Sequence, residues 1–136
     1  MSVTHNQARD IIIAAFRTGW SSATDVAYDN EQFTPPDSTS AWARFVVHFN
    51  GSKQVSIAPS GSRSFRRFGI VSIQIFTSVS DNTFNSDTYA NTALSIFEGK
   101  VISNVHFYDG GITTVGVDGK WYQQNVVIYF YFDEIK

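Results

Sequence analysis

Residues 121–134 read Trp-Tyr-Gln-Gln-Asn-Val-Val-Ile-Tyr-Phe-Tyr-Phe-Asp-Glu, and their alternation decides the fold. In an extended chain Val126, Ile128, Phe130 and Phe132 fall on one face, while Val127, Tyr129 and Tyr131 fall on the other. The residues are β-branched or aromatic almost throughout, the composition of a strand. Because both faces are apolar at the centre, each has to be covered. Two helices are foreseen elsewhere in the chain, enough to cover one side of a sheet. The other side then meets a neighbouring subunit, or the strand is sandwiched within its own monomer.

Working back from this strand, two shorter ones are expected near residues 101–108 and 112–117. Asp109-Gly110-Gly111 and Asp118-Gly119 separate them with turn chemistry, predicting an antiparallel meander. Further upstream Val71, Ile73 and Ile75 alternate with Ser72 and Gln74, the pattern of a half-buried strand. Residues 42–49 alternate in the same way. Asn50-Gly51 follows as a favoured hairpin turn, with Val55 and Ile57 expected on a returning strand.

Two segments change period. Thr4 followed by Gln7 has the form of a capping box, and Ala8, Ile11, Ile12, Ala15 and Phe16 recur at helical spacing. These predict a helix at about residues 5–18, stopped by Gly19. Asp87 is placed to cap a second helix carrying Tyr89, Ala90, Ala93, Leu94, Ile96 and Phe97, closed by Gly99 and Lys100. Between the first helix and residue 42, a brief strand at 26–28 precedes an extended loop around residues 29–41, which contains Pro35-Pro36. The expected fold is α+β: one domain over residues 1–136, with a mostly antiparallel sheet and two helices packed on one face.

Composition narrows the function. A chain of 136 residues without cysteine holds neither disulfides nor thiolate metal sites, and a cytosolic setting is the simpler expectation. The first residues lack the order of a signal peptide, and no apolar run approaches the roughly 18 residues of a membrane span. A formal charge of -2 argues against gripping nucleic acid as the main work, since phosphate binding shows as a basic excess.

Catalytic chemistry is hard to place. His5, His48 and His106 have no partner at metal-ligand spacing, and the serines lie in no Gly-x-Ser-x-Gly elbow. Gly116-x-x-Gly119-Lys120 lacks the full phosphate-loop spacing and leads into a strand, so a hairpin turn explains it better. Asp133-Glu134 reads as a solvated acidic pair. Neither a catalytic group nor a cofactor is expected. Arg63, Arg66 and Arg67 form the one basic cluster, and their planar forks suit carboxylates on another protein surface. Charge reversal at Arg66 and Arg67 is accordingly expected to spare the fold. These three arginines, with Tyr129 and Tyr131 on the second face of the last strand, are the candidate subunit or tube interface. Trp20, Trp42 and Trp121 read as packing anchors.

After a leading helix the chain carries Val26-Ala27-Tyr28-Asp29-Asn30-Glu31-Gln32-Phe33-Thr34-Pro35-Pro36, then Trp42-Ala43-Arg44. Arg66-Arg67-Phe68-Gly69 then opens a strand ending Ile75-Phe76. In the order of these motifs, over nearly its whole length, the sequence resembles the tail terminator family of long-tailed bacteriophages. The resemblance implies a structural protein and no enzyme: a ring, typically a hexamer, that caps the tail tube and ends its polymerisation. It implies contacts with the tail tube protein and a head-completion or neck protein, at the head-proximal end of the virion tail after assembly in the host cytoplasm. DNA would pass through the ring without specific binding. A different class, the pocket-forming nuclear-transport-factor-like fold, also pairs a leading helix with long aromatic strands. It needs further helices early in the chain, where Pro, Ser, Thr and Asp disfavour them.

Overall fold

The computed structural model describes residues 2–36, 40–80 and 83–136. Its order is α1 (His5–Trp20), β1 (Asp25–Tyr28), β2 (Trp42–Gln54), β3 (Ser64–Ser78), α2 (Thr83–Phe97), β4 (Val101–Ile102), β5 (Val105–Asp118) and β6 (Trp121–Ile135). The six strands form one sheet in the order β1-β2-β3-β6-β5-β4. Only β1 and β2 pair in parallel, so the fold is α+β with a mostly antiparallel sheet, as expected.

The core follows the alternation read from β6. Register sets Ile73 between Phe45 and Val126, and Val71 between Val47 and Ile128. All these side chains are buried, Val71, Ile73, Ile75, Val126, Ile128, Phe130 and Phe132 completely. Burying an aliphatic or aromatic side chain of this size contributes roughly 1.5–3 kcal/mol. Phe16 of α1 stacks on Phe45 at 4.4 Å between ring centroids, and Phe97 of α2 lies 6.4 Å from the same ring. Phe97 also meets Phe107 of β5 at 4.9 Å. A polar tie fixes α2 to the sheet: Ser86 donates its hydroxyl to Gln124 Oε1 at 2.9 Å, and Gln124 Nε2 donates to Asp87 Oδ1 at 2.9 Å.

Local chemistry explains most element boundaries and revises several expectations. The capping box is present, with the Gln7 amide on Thr4 Oγ1 and the Thr4 amide on Gln7 Oε1. α1 continues past Gly19 to Trp20 and ends at Ser21 in the left-handed region, at φ 50°. Gly19 serves another need, because a Cβ there would sit 2.6 Å from Ile96; its bareness lets α2 approach. Asn50-Gly51 makes no hairpin turn. β2 passes through it with a bulge between Phe49 and Gly51 and keeps β3 as its partner to Gln54. The expected return strand at Val55 and Ile57 is therefore loop, and Ile57 is fully exposed. Asp109-Gly110-Gly111 is likewise a site of register shift inside a continuous β5, while the real turn lies at Ser103 and Asn104, both at positive φ. α2 begins before Asp87, which is internal to the helix. Of the 29–41 arm, residues 29–36 and 40–41 hold no helix or strand, and residues 37–39 lie outside the described residues.

Candidate interface surface

Because β3 and β6 alternate strictly, the side chains between the core positions form a second face. On β6 these are Asn125, Val127, Tyr129, Tyr131 and Asp133; on β3, in register with them, are Gln74, Ser72, Ile70, Phe68 and Arg66. All are half-buried except Tyr129, which is 45% exposed. His106 of β5 completes a row across three strands, since it pairs with Tyr131, which pairs with Phe68.

Tyr131 organises this row. The His106 ring lies parallel to it at 4.6 Å with a 2° interplanar angle, and the Arg66 guanidinium sits 4.3 Å from its centroid. Arg66 in turn holds Asp133 through both nitrogens of its fork, Nε to Oδ1 at 2.9 Å and Nη2 to Oδ2 at 3.1 Å. The Arg66 hydrogen bond, with its charge and the nearby His106, keeps the Asp133 carboxyl below the usual carboxylate range against a smaller opposing effect of burial. The same hydrogen bond raises the Arg66 guanidinium above its ordinary value. Tyr108 extends the layer, 6.0 Å from Tyr129 and 6.1 Å from Tyr131, and is itself 40% exposed.

The basic cluster of the sequence divides into three environments. Neighbours on a strand point to opposite faces, so Arg67 leaves Arg66 and joins the core side. There Arg67 Nη2 donates to Glu134 Oε1 at 3.0 Å, and both side chains are only 13% exposed. Arg63 stands in the loop before β3, exposed, and donates Nε to the Ala58 carbonyl at 2.9 Å. Asp133 and Glu134 are thus ion-pair partners and not a free acidic pair. Charge reversal at Arg66 and Arg67 would set a second carboxylate beside each of them, so the fold would not be indifferent to it. What sequence reasoning missed was His106 and Tyr108: they lie beside Tyr131 through strand register, and only the β5–β6 pairing brings them there.

A groove of about 920 Å³ lies between the helices, lined by Ile11, Ala15 and Ile96 with Thr18, Thr92 and Ser95. Lys100 is the one titratable side chain in its lining among the described residues. Among the described residues no group of three His, Asp or Glu converges as metal ligands, and no helix is long and apolar enough to cross a membrane.

Comparison with known proteins adds a fold relative. A solved structure of a protein designated only by a sequence identifier is 17% identical, matching 94% of this chain and 96% of its own with a TM-score of 0.65. The likeness is one of fold. No family model matches the chain, and neither does any curated protein.

Proposed function

We propose that this chain is a tail terminator of a long-tailed bacteriophage, a ring subunit that caps the tail tube, stops its growth and offers the head-completion protein a surface. The observation that carries the reading is the aromatic layer on the second sheet face, where Tyr108 and Tyr129 are exposed beside the half-buried Tyr131. Tyrosine suits a protein contact because its ring brings large area at small entropic cost and its hydroxyl keeps a polar end. Arg66, itself held by Asp133, lies over the Tyr131 ring, and His106 stacks on that ring, which fixes this tyrosine within the layer. The order of the arm and Arg-Arg-aromatic-Gly motifs supplies the family; the face supplies the physical means of assembly. For the catalytic alternative, Lys100 is the one titratable group of the groove lining among the described residues, with no second group there to complete an acid–base pair.

Electron microscopy of the purified protein, with and without tail tubes, tests the reading. Rings, and caps confined to one end of each tube, are expected. A protein that stays monomeric and leaves both tube ends bare would sink it.

A further inference from the structure

Strand pairing leaves two long edges of this sheet open. Among the described residues, pairing on the outer side of β2 stops at Phe45, where β1 ends, and pairing on the outer side of β5 stops at Phe107, whose amide donates to the Lys100 carbonyl at 2.8 Å. Residues 46–54 and 110–118 therefore carry outward backbone groups with no neighbouring strand. Such edges invite another strand unless Lys, Pro or inward charges blunt them. The 110–117 stretch contains no charged residue and no proline, and it exposes Ile112 (39%), Val115 (53%) and Val117 (69%). A bulge between Thr114 and Gly116 interrupts it once.

The two edges are complementary in place and direction. Following register through β6, Gly110 is level with Val71 of β3 and Asp118 with Ser78. On the other side, Val46 is level with Ser72 and Gln54 with Phe65. The open edges thus occupy diagonally opposite corners of the sheet. β2 and β5 are related by three antiparallel steps and run in opposite directions. Two copies in the same orientation can therefore join β5 of one to β2 of the next as an antiparallel pair. Lys53 is the one charged residue of 46–54; antiparallel pairing sets it toward Asp109 and leaves Asp118 at the other end, so direction rests on strand order and not on charge.

We propose that copies of this chain associate by continuing the sheet, residues 110–118 of β5 pairing antiparallel with residues 46–54 of β2 in a second copy. The contact is head-to-tail, so each added copy consumes one edge of each kind and leaves one of each, until closure removes both. The diagonal offset makes neighbours step along the strand direction, as closing a sheet on itself requires. Only the closure rests on the ring reading above; the pairing itself does not.

The chain has no native cysteine, which permits a direct test. Copies carrying Thr113→Cys are mixed with copies carrying His48→Cys, Asn50→Cys or Ser52→Cys and oxidised, both free at high concentration and on tail tubes. At least one mixture should give the mixed disulfide, well above Thr113→Cys copies alone. Dimers from Thr113→Cys copies alone, without mixed product, would mean a two-fold β5–β5 contact and overturn the proposal. Absence of any crosslink under both conditions overturns it too. As a second measurement, Val115→Lys with Val117→Lys should weaken self-association at least tenfold while leaving the thermal midpoint of the monomer unchanged, and wild-type association by this variant would refute edge pairing. Mixed disulfides without tube caps would retain the pairing and remove the terminator reading; caps without mixed disulfides would do the reverse.

Discussion

Phe130 carries the core at its centre, fully buried, with its ring over the one residue of β3 that has no side chain. A Cβ at Gly69 would meet that ring and the His48 carbonyl, so the glycine and the phenylalanine fit as a pair. Phe130→Ala should cost about 3–5 kcal/mol in urea unfolding, because the cavity cannot collapse onto a glycine; an unchanged midpoint would mean the ring is not packed as described. Asp133 offers a test by pH. Its folded carboxyl lies below the ordinary range, held mainly by the Arg66 hydrogen bond. A depressed carboxylate stabilises the fold above its unfolded pKa of roughly 3.9, and that contribution disappears as pH falls through the folded value. Asp133→Asn should therefore be less stable than wild type at pH 6 and converge with it in strong acid. The pair is about a third exposed, so the gap is a small one. A difference that stays constant with pH would point away from this pair.

Among elements, the tie between α2 and β6 is the most informative. Gln124 is buried on a strand whose neighbours on that face are Val126 and Ile128, and it bonds both Ser86 and Asp87. Gln124→Ala leaves the buried Ser86 hydroxyl without this partner and should cost about 1–3 kcal/mol. Hydrogen exchange should show the loss first in the opening turns of α2; uniform loosening of the whole chain would contradict a local tie. The same elements show what was legible in the sequence. Period-two alternation identified β2, β3 and β6 because the middle of each has one face buried in the core, and the capping box placed the start of α1. Turn chemistry misled at Asn50-Gly51 and Asp109-Gly110-Gly111, where a long partner strand holds the chain extended and a bulge absorbs the irregular residues. Gly19 misled for a different reason, since its small size serves a contact with a helix distant in sequence. The candidate surface was half legible. Tyr129 and Tyr131 follow from β6 alone, whereas the separation of Arg66 from Arg67 and their pairing with Asp133 and Glu134 depend on the β3–β6 register.

For the whole molecule, one face of the sheet carries the core cluster, while the other exposes Tyr129 and is covered at the Trp42 end, where Phe33 stacks on that buried ring at 5.3 Å. Tyr129 lies on the second face and outside the core cluster. Tyr129→Ser should lower stability by only about 0.5–1.5 kcal/mol, the contribution of its stack on Tyr108, while lowering the affinity for tail tubes in a capping titration. Full capping by this variant would remove the aromatic layer from the contact. A last property follows from how the sheet is tied at its lower corner. The Val3 amide donates to the Asp133 carbonyl at 3.0 Å, and the Ile135 amide donates to Ser2 Oγ at 3.0 Å. The two extremities of the described chain are therefore neighbours, and a linker of a few residues would bridge them without disturbing either. A circular permutant reopened in the exposed 55–63 loop should fold to the same circular dichroism spectrum, its new ends displaced to the loop that joins β2 to β3. That loop meets the C-terminal residue, since Arg63 and Lys136 exchange backbone hydrogen bonds at 2.8 and 2.7 Å, so a reporter fused at either opening would mark this same corner and give one fixed point from which the orientation of each subunit in an assembly could be read.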